Sequence, residues 1–191
     1  EFRRVLFRSH KRILYNGNNY SEEWIKEAES RGLAHLPTTV DAMHCFISEK
    51  NISLFTRWGI YTEREMRSRY DISLENYAKL IRIEASTMLS MAQRSILPAV
   101  IGYESKIAEA VSAKDRLGVP NDAEYALLKG LSAGVNALHK RIGGLFDAIV
   151  AMPKGNGEAA EYCRDKLLPA MGSLREAADA LETITAKEYW P

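Results

Sequence analysis

The fold is decided by residues 62–114, which read TEREMRSRYDISLENYAKLIRIEASTMLSMAQRSILPAVIGYESKIAEAVSAK. Apolar or small residues recur in this stretch at steps of three and four, the spacing of one face of a helix. The stripe consists of Tyr70, Leu74, Tyr77, Ile81, Ala85, Met88, Ala92, Ile96, Val100, Tyr103, Ile107 and Ala110. Such a helix would be on the order of 75 Å long. We expect partner helices to cover it, since a lone helix cannot bury so long an apolar face.

The start of this helix and one interruption can also be predicted. Thr62 and Glu65 have the Thr-x-x-Glu spacing of a capping box, so the helix should begin directly after Thr62. Pro98 cannot donate a backbone hydrogen bond and collides with the preceding turn. A kink or a break is therefore expected near Ile96, and the pattern allows either a kinked single helix or two helices in tandem.

Two further heptad stripes follow, and each begins after a turn. Gly118, Pro120 and Asn121 form the first turn, and residues 152–157 form the second. The second stripe is Leu128, Leu131, Val135, Leu138, Ile142, Leu145, Ile149 and Met152; the third is Ala160, Cys163, Leu167, Ala170, Leu174, Ala177, Leu181 and Ile184. Three long antiparallel helices around one core, packed as in a coiled coil, explain all three stripes. The same stripes could instead contact another subunit.

Small residues on the third stripe bear on how closely these helices pack. Ala160, Ala170 and Ala177 lack bulky side chains, so they would let neighbouring helices approach. The Leu and Ile layers would fill the centre of the bundle.

Short helices are predicted ahead of the long one. Ser21 is the N-cap of the first, which carries Trp24, Ile25 and Ala28 on one side and ends at Gly32. Residues 13–15 form a short apolar run before it, which predicts a strand remnant or an extended entry.

The second short helix should begin at Thr38 or Thr39 and run through Ile47, and its apolar composition predicts that it is largely buried. A third helical piece covers residues 49–58 and ends at Gly59. Its inward side is expected to carry Ile52, Phe55 and Trp58.

Composition places the chain among ordinary globular proteins. It has 191 residues, of which 46% are apolar and 27% charged, and no apolar run is long enough to cross a bilayer. The two cysteines, Cys45 and Cys163, lie far apart, which argues for a reducing compartment and against a zinc site or a disulfide scaffold. We expect a cytoplasmic protein with no membrane partner.

The first nine residues, EFRRVLFRS, fit neither a helix nor a strand pattern. They resemble a translated sequencing adaptor, so we interpret residues 1–9 as a foreign extension. Their three arginines and one glutamate contribute +2 to the total of +1, so the remaining chain carries −1. A basic arm that grips nucleic acid is the alternative, but no aromatic or helical context supports it. We expect no nucleic-acid partner.

Few residues suggest chemistry by themselves. The histidines are His10, His35, His44 and His139. A di-iron bundle would need Glu-x-x-His on two helices, whereas this chain has only one related spacing, Asp41-x-x-His44. We therefore expect ordinary histidines and no metal site.

Three other candidates receive ordinary interpretations. Cys45 and Cys163 are expected to be small buried apolar residues, and Glu84 an exposed carboxylate. Residues 16–19, NGNN, are expected to form a plain turn; a phosphate loop is the alternative, but neither the GxGxxG spacing nor a following Lys-Ser/Thr is present.

An ordered series of short motifs runs from His10 to Ala99. It comprises Lys11-Arg12-Ile13, Asn16-Gly17-Asn18, Tyr20-Ser21 with Trp24, Glu27-Ala28, Arg31-Gly32-Leu33, Asp41-Ala42, Leu54-Phe55 to Gly59, Thr62-Glu63, Ser68-Arg69-Tyr70, Ile83-Glu84 and Ile96-Leu97-Pro98-Ala99. The series resembles the segment that follows the catalytic core in type III glutamine synthetases. Asn19 and the pair His44-Cys45 depart from that pattern. Beyond Ala99 the resemblance is one of length and pattern only.

The resemblance implies a parent enzyme that couples ATP hydrolysis to joining glutamate and ammonia through a γ-glutamyl phosphate, with Mg²⁺ or Mn²⁺. In that family the catalytic residues lie ahead of the segment matching Lys11, so no catalytic, cofactor-binding or metal-binding residue is assigned here. The resemblance divides the chain into the end of a catalytic-domain-like segment, 10–61, and a helical bundle, 62–191. The implied partners are the remainder of the catalytic domain and further copies in a homo-oligomer. A stand-alone helical adaptor or oligomerisation module is the alternative.

Overall fold

The computed structural model describes residue 5 and residues 8–191, and this part of the chain is helical without strands. Three short helices come first: α1 is Glu22–Ser30, α2 is Thr39–Phe46 and α3 is Glu49–Arg57. Three long ones follow: α4 covers 63–117, α5 is Asp122–Val150 and α6 covers 156–182. The predicted all-α fold is confirmed. The expected foreign extension, residues 1–9, lies largely outside the described residues.

The long helices form an antiparallel three-helix bundle, as the stripes predict. The second half of α4 packs on α5, α5 packs on α6, and the beginning of α6 packs on the first half of α4. The turn between α4 and α5 depends on Gly118, which adopts a left-handed φ of 66° that side chains disfavour. After α6 the chain returns to α4, where Tyr189 lies 5.1 Å from Tyr103 between ring centroids.

The core of the bundle follows the predicted stripes closely. Leu131, Leu138, Leu145 and Leu167 are fully buried along α5 and α6. On α4 the prediction is wrong at one position, because Ala110 is exposed and Val111 takes the inward place. Val111 lies four residues after Ile107, whereas Ala110 lies three residues after it. The step of four keeps the apolar residues at the end of α4 facing α5.

Prolines lie inside two of the long helices, and each follows a π-helical segment. In α4, Ala92–Ile96 is π-helical and Leu97 donates its N–H to the Ala92 carbonyl, directly before Pro98. The segment Cys163–Leu167 repeats this arrangement before Pro169 in α6. The wider turn holds an additional residue and relieves the collision that proline causes in an α-helix. The alternative of two tandem helices is therefore wrong, since α4 continues through Pro98.

The predicted helix starts are confirmed by their hydrogen bonds. Ser21 Oγ accepts from Trp24 N at 3.4 Å, and Thr38 Oγ1 accepts from Asp41 N at 3.2 Å, so Thr38 rather than Thr39 is the cap. Thr62 and Glu65 form the complete capping box. Trp24 stacks on Tyr15 with 4.4 Å between ring centroids, so the apolar side of α1 is covered locally.

Several predictions for the short N-terminal elements are wrong. Residues 13–15 do not form the strand remnant, since Lys11–Ile13 is a 3₁₀ turn, but Leu14 is extended, as the alternative of an extended entry predicted. Helix α2 buries only Val40, and Cys45 is exposed, because this short helix packs on its neighbours through one side alone. Trp58, which follows α3, is 69% exposed instead of inward-facing.

No helix in the described part of the chain combines the length and the apolar character that a bilayer crossing requires.

Leu138 tests whether the predicted stripe is the core. Its side chain is fully buried, so Leu138→Ala should lower the free energy of unfolding by about 2–5 kcal/mol. Leu80→Ala is the control, because Leu80 is 57% exposed on α4 and its truncation should change stability by less than about 0.5 kcal/mol. Urea unfolding measures both. Equal losses would contradict the assignment of the core.

Two glycines of α5 provide a second test. A Cβ at Gly134 would overlap the buried side chain of Leu181 on α6, whereas a Cβ at Gly143 would meet open space. Gly143→Ala should therefore stabilise the protein by about 0.5–1 kcal/mol through helix propensity. Gly134→Ala should give none of this gain in the same unfolding measurement. A gain of equal size at both positions would show that α5 and α6 do not pack closely at Gly134.

Candidate docking surfaces

Helix α2 docks in a small cluster of its own, separate from the main core. Val40 of α2, Leu74 of α4 and Ala160 of α6 are buried together, with Tyr70 and Tyr77 packed around them. Ala160 has the role predicted for a small residue. Its methyl group leaves room for α2 to pack beside α4 and α6. We call this contact the inner docking site.

Charged groups fix α2 on the bundle at the same place. Arg164 Nη1 of α6 lies 2.6 Å from Asp41 Oδ1 of α2. The Thr38 hydroxyl donates to Asp41 Oδ2 at 2.5 Å, and this hydrogen bond, followed by the Arg164 charge, lowers the pKa of Asp41. Arg164 also pairs with Asp165 at 2.7 Å, and chiefly this hydrogen bond raises the pKa of the guanidinium. The pair therefore stays ionised at neutral pH.

A second polar contact joins α2 to α4. The Tyr70 hydroxyl lies 3.2 Å from His44 Nδ1, and burial is the largest cause of the raised pKa of Tyr70. His44 is thus an exposed histidine whose ring contacts a tyrosine hydroxyl.

The opposite side of α4 carries exposed apolar side chains. Ile72, Leu80, Ile83 and Met91 are 52%, 57%, 63% and 56% exposed. Their spacing of eight, three and eight residues places them on one helical face, turned away from the core residues. We call these four residues the outer stripe. Apolar side chains clustered on one face commonly mark a contact surface.

A groove between α4 and α6 continues this surface. It encloses about 480 Å³ and is bordered by Ile83 and Met91 of the outer stripe. Its further apolar lining is Met88, Ala92, Ile96, Leu174 and Ala178. On its rim lies Glu84, which is exposed as predicted, and Arg175 pairs with Asp179 at 3.3 Å. An apolar floor with a polar rim is the usual anatomy of a protein contact.

The other residues considered from the sequence are scattered. His10, His35, His44 and His139 are all exposed and lie on different segments. Within residue 5 and residues 8–191, no three His, Cys, Asp or Glu side chains converge as a metal site would require.

Residues 16–19 contain a turn in which Asn18 Oδ1 accepts from Tyr20 N at 3.0 Å. Cys163 is buried, as predicted, and burial raises the pKa of its thiol.

Sequence reasoning missed the Asp41–Arg164 pair and the outer stripe. The pair joins residues 123 positions apart, and no local pattern signals such a contact. The stripe did leave a signal, since its spacing is helical and its face differs from that of the core residues.

The inner docking site yields a prediction for Asp41. Asp41→Asn removes the charge that Arg164 contacts, so the amides of α2 should exchange hydrogen faster at pH 7. The lowered pKa of folded Asp41 means that its stabilisation is present above about pH 4 and is lost as the pH falls through the lowered value. The difference between variant and wild type should therefore vanish in acid. Hydrogen exchange followed by mass spectrometry measures both effects.

Asp147→Asn is the matched control, because it makes the same substitution at an exposed carboxylate on α5. Faster exchange in α2 of this variant, or an Asp41 effect that persists at about pH 2, well below the ordinary carboxyl pKa, would contradict the role given to the ion pair.

Comparisons with known proteins agree with the earlier resemblance and extend it. The family model described as glutamine synthetase C-terminal domain matches residues 2–115. A glutamine synthetase of Butyrivibrio fibrisolvens is 37% identical over 188 residues, and a type-3 glutamine synthetase of Dictyostelium discoideum is 34% identical over 191. A glutamine synthetase of Bacteroides fragilis (strain YCH46) is 25% identical over 187 residues.

These alignments cover 94–95% of the chain, so the similarity continues past Ala99 as sequence and not only as length and pattern. The chain spans about a quarter, 26%, of the length of each of these relatives. The chain belongs to the glutamine synthetase family and contains the C-terminal domain of that family.

Proposed function

We propose that this chain is the structural and assembly region of a glutamine synthetase and that the residues performing the reaction lie elsewhere in the parent protein. The parent would be an ATP-dependent glutamate–ammonia ligase of nitrogen assimilation, using Mg²⁺ or Mn²⁺. None of the reaction's cofactors would be held by residues of this chain. The proposal extends to a cytoplasmic location and to a homo-oligomeric parent.

The observation that carries this proposal is the outer stripe. The inner face of α4 already has its partners in α5 and α6, yet the opposite face bears four exposed apolar side chains beside a groove. Burying them would stabilise a contact, since apolar surface contributes about 25 cal/mol per Å² removed from water. The contact would be with the remainder of the catalytic domain or with a neighbouring subunit.

The division of the chain fits this role. Residues 10–61 would be the end of the catalytic-domain segment, and residues 62–191 the bundle. The inner docking site supports the division, because α2 connects the two parts through Val40 and the Asp41–Arg164 pair. A movement of the bundle would therefore be transmitted to the segment that leads to the catalytic core.

A stand-alone adaptor or oligomerisation module is the second candidate, and exposed apolar stripes support it equally well. Genomic DNA upstream of His10 separates the two candidates. An open frame that encodes a sheet domain rich in carboxylates and arginines supports the ligase, whereas a native start codon at that point supports the adaptor.

The purified 191-residue chain should not form glutamine from glutamate, ammonium, ATP and Mg²⁺. Phosphoryl transfer requires metal-binding carboxylates and phosphate-binding cations arranged together. A coupled phosphate-release assay measures turnover, and the Butyrivibrio fibrisolvens enzyme serves as the positive control. Turnover above the protein-free rate would refute the proposal that the catalytic residues lie elsewhere.

The outer stripe can be tested in the full-length parent. Ile83→Glu should reduce the mass of the assembly in light scattering, or lower the rate of glutamine formation at least about tenfold, because a charge in an apolar contact is costly. His139→Glu is the matched control, since it places the same charge on the exposed side of α5. If both variants assemble and react like the wild type, the outer stripe is not a contact within the enzyme.

A further inference from the structure

A second cavity lies beside the outer stripe, since its lining residues Lys79 and Arg82 directly precede Leu80 and Ile83 along α4. It has a volume of about 600 Å³ and lies between α4, the end of α5, the loop before α6 and the first residues of α6. Its volume falls in the range of small-molecule sites, about 300–1,000 Å³. The polar side chains that line it are Glu75, Lys79, Arg82, Lys154 and Asn156.

Positive charge dominates this cavity. Lys79 and Arg82 come from α4 and Lys154 from the loop, so two separate segments bring three cations to one place. Glu75 is the only carboxylate in the lining, and it pairs with Lys79 Nζ at 2.5 Å. The lining therefore has a net charge of +2 at neutral pH.

Arg82 and Lys154 form no ion pair within the described part of the chain, where no carboxylate lies within 4 Å of either side chain. Arg82 also follows Lys79 at a spacing of three, where like charges on a helix repel. A bound dianion would remove this repulsion and form charge-assisted hydrogen bonds with the guanidinium.

The rest of the lining is apolar. It consists of Ala78, Ile149, Val150, Met152, Pro153 and Ala159. A bare inorganic anion would leave this wall uncovered and would fill little of the cavity. The fitting ligand therefore carries an apolar or planar group beside its negative charge.

We propose that this cavity binds a phosphate monoester of a small organic molecule. The phosphate lies between Arg82 and Lys154, and the organic part covers Ile149, Met152 and Pro153. The site belongs to this chain alone and does not depend on the proposed function, because it uses no residue of the outer stripe or of the inner docking site.

Isothermal titration of the 191-residue chain with AMP, at constant ionic strength, tests this site. A dissociation constant of about 1 mM or below is expected. Arg82→Gln and Lys154→Gln should each raise it about tenfold. Arg141→Gln and Lys140→Gln are the matched controls, because they remove the same charges from the exposed side of α5 and should leave binding unchanged.

Three further ligands show whether the organic group, the phosphate or a lipid surface accounts for binding. Adenosine and inorganic phosphate should both bind more weakly than AMP, since each lacks one half of the recognised chemistry. The proposal is overturned if adenosine binds as well as AMP, if the control variants weaken binding as much as Arg82→Gln, or if AMP does not bind. It is also overturned if only phosphatidylglycerol vesicles bind, since the site would then recognise a lipid surface.

Discussion

The structure depends on the burial of one face of α4. This helix is far longer than α5 or α6, so neither neighbour covers it alone. The bundle solves this by placing α5 beside its second half and the beginning of α6 beside its first half. The remaining end packs against α2 and α3, and Leu74 is buried there together with Val40 of α2 and Ala160 of α6. These short helices are thus held in place by the helix that they cover.

Most of this architecture could be predicted from the sequence, because heptad spacing reports directly on which residues face a common core. The capping box at Thr62, the turn at Gly118 and nearly every core residue agree with the structure. The second turn, predicted at residues 152–157, lies at residues 151–155. The π segments could not be predicted with the same ease. Pro98 predicts an irregularity in the helix. Whether the helix breaks or forms a π-helical turn depends on the tertiary contacts of the segments before and after the proline. In the sequence, the wider turn corresponds to consecutive steps of four between the apolar residues Met88, Ala92, Ile96 and Val100.

The candidate surfaces were harder to predict, for physical reasons that differ between them. Asp41 and Arg164 meet only because the fold brings α2 onto α6. A contact between residues so far apart in the chain leaves no periodic pattern in the sequence. Helix α2 is apolar enough to suggest burial, yet it packs on α4 and α6 through one side only and leaves Cys45 in solvent. The outer stripe also has a helical spacing, but the heptad pattern identifies only the residues that face the core. The three-dimensional packing shows that the four side chains of the outer stripe remain exposed on the other face of α4.

We propose that α4 is buried on one side by its own bundle and on the other side by the remainder of a longer parent protein. Hydroxyl-radical footprinting of methionine oxidation tests this proposal, because Met91 lies on the outer stripe and is 56% exposed, whereas Met66 is fully buried. In the 191-residue chain Met91 should oxidise readily and Met66 should not. In the full-length parent Met91 should be protected at least about tenfold, as expected for a side chain moved from water into a packed contact. Equal oxidation of Met91 in the two proteins would contradict the account.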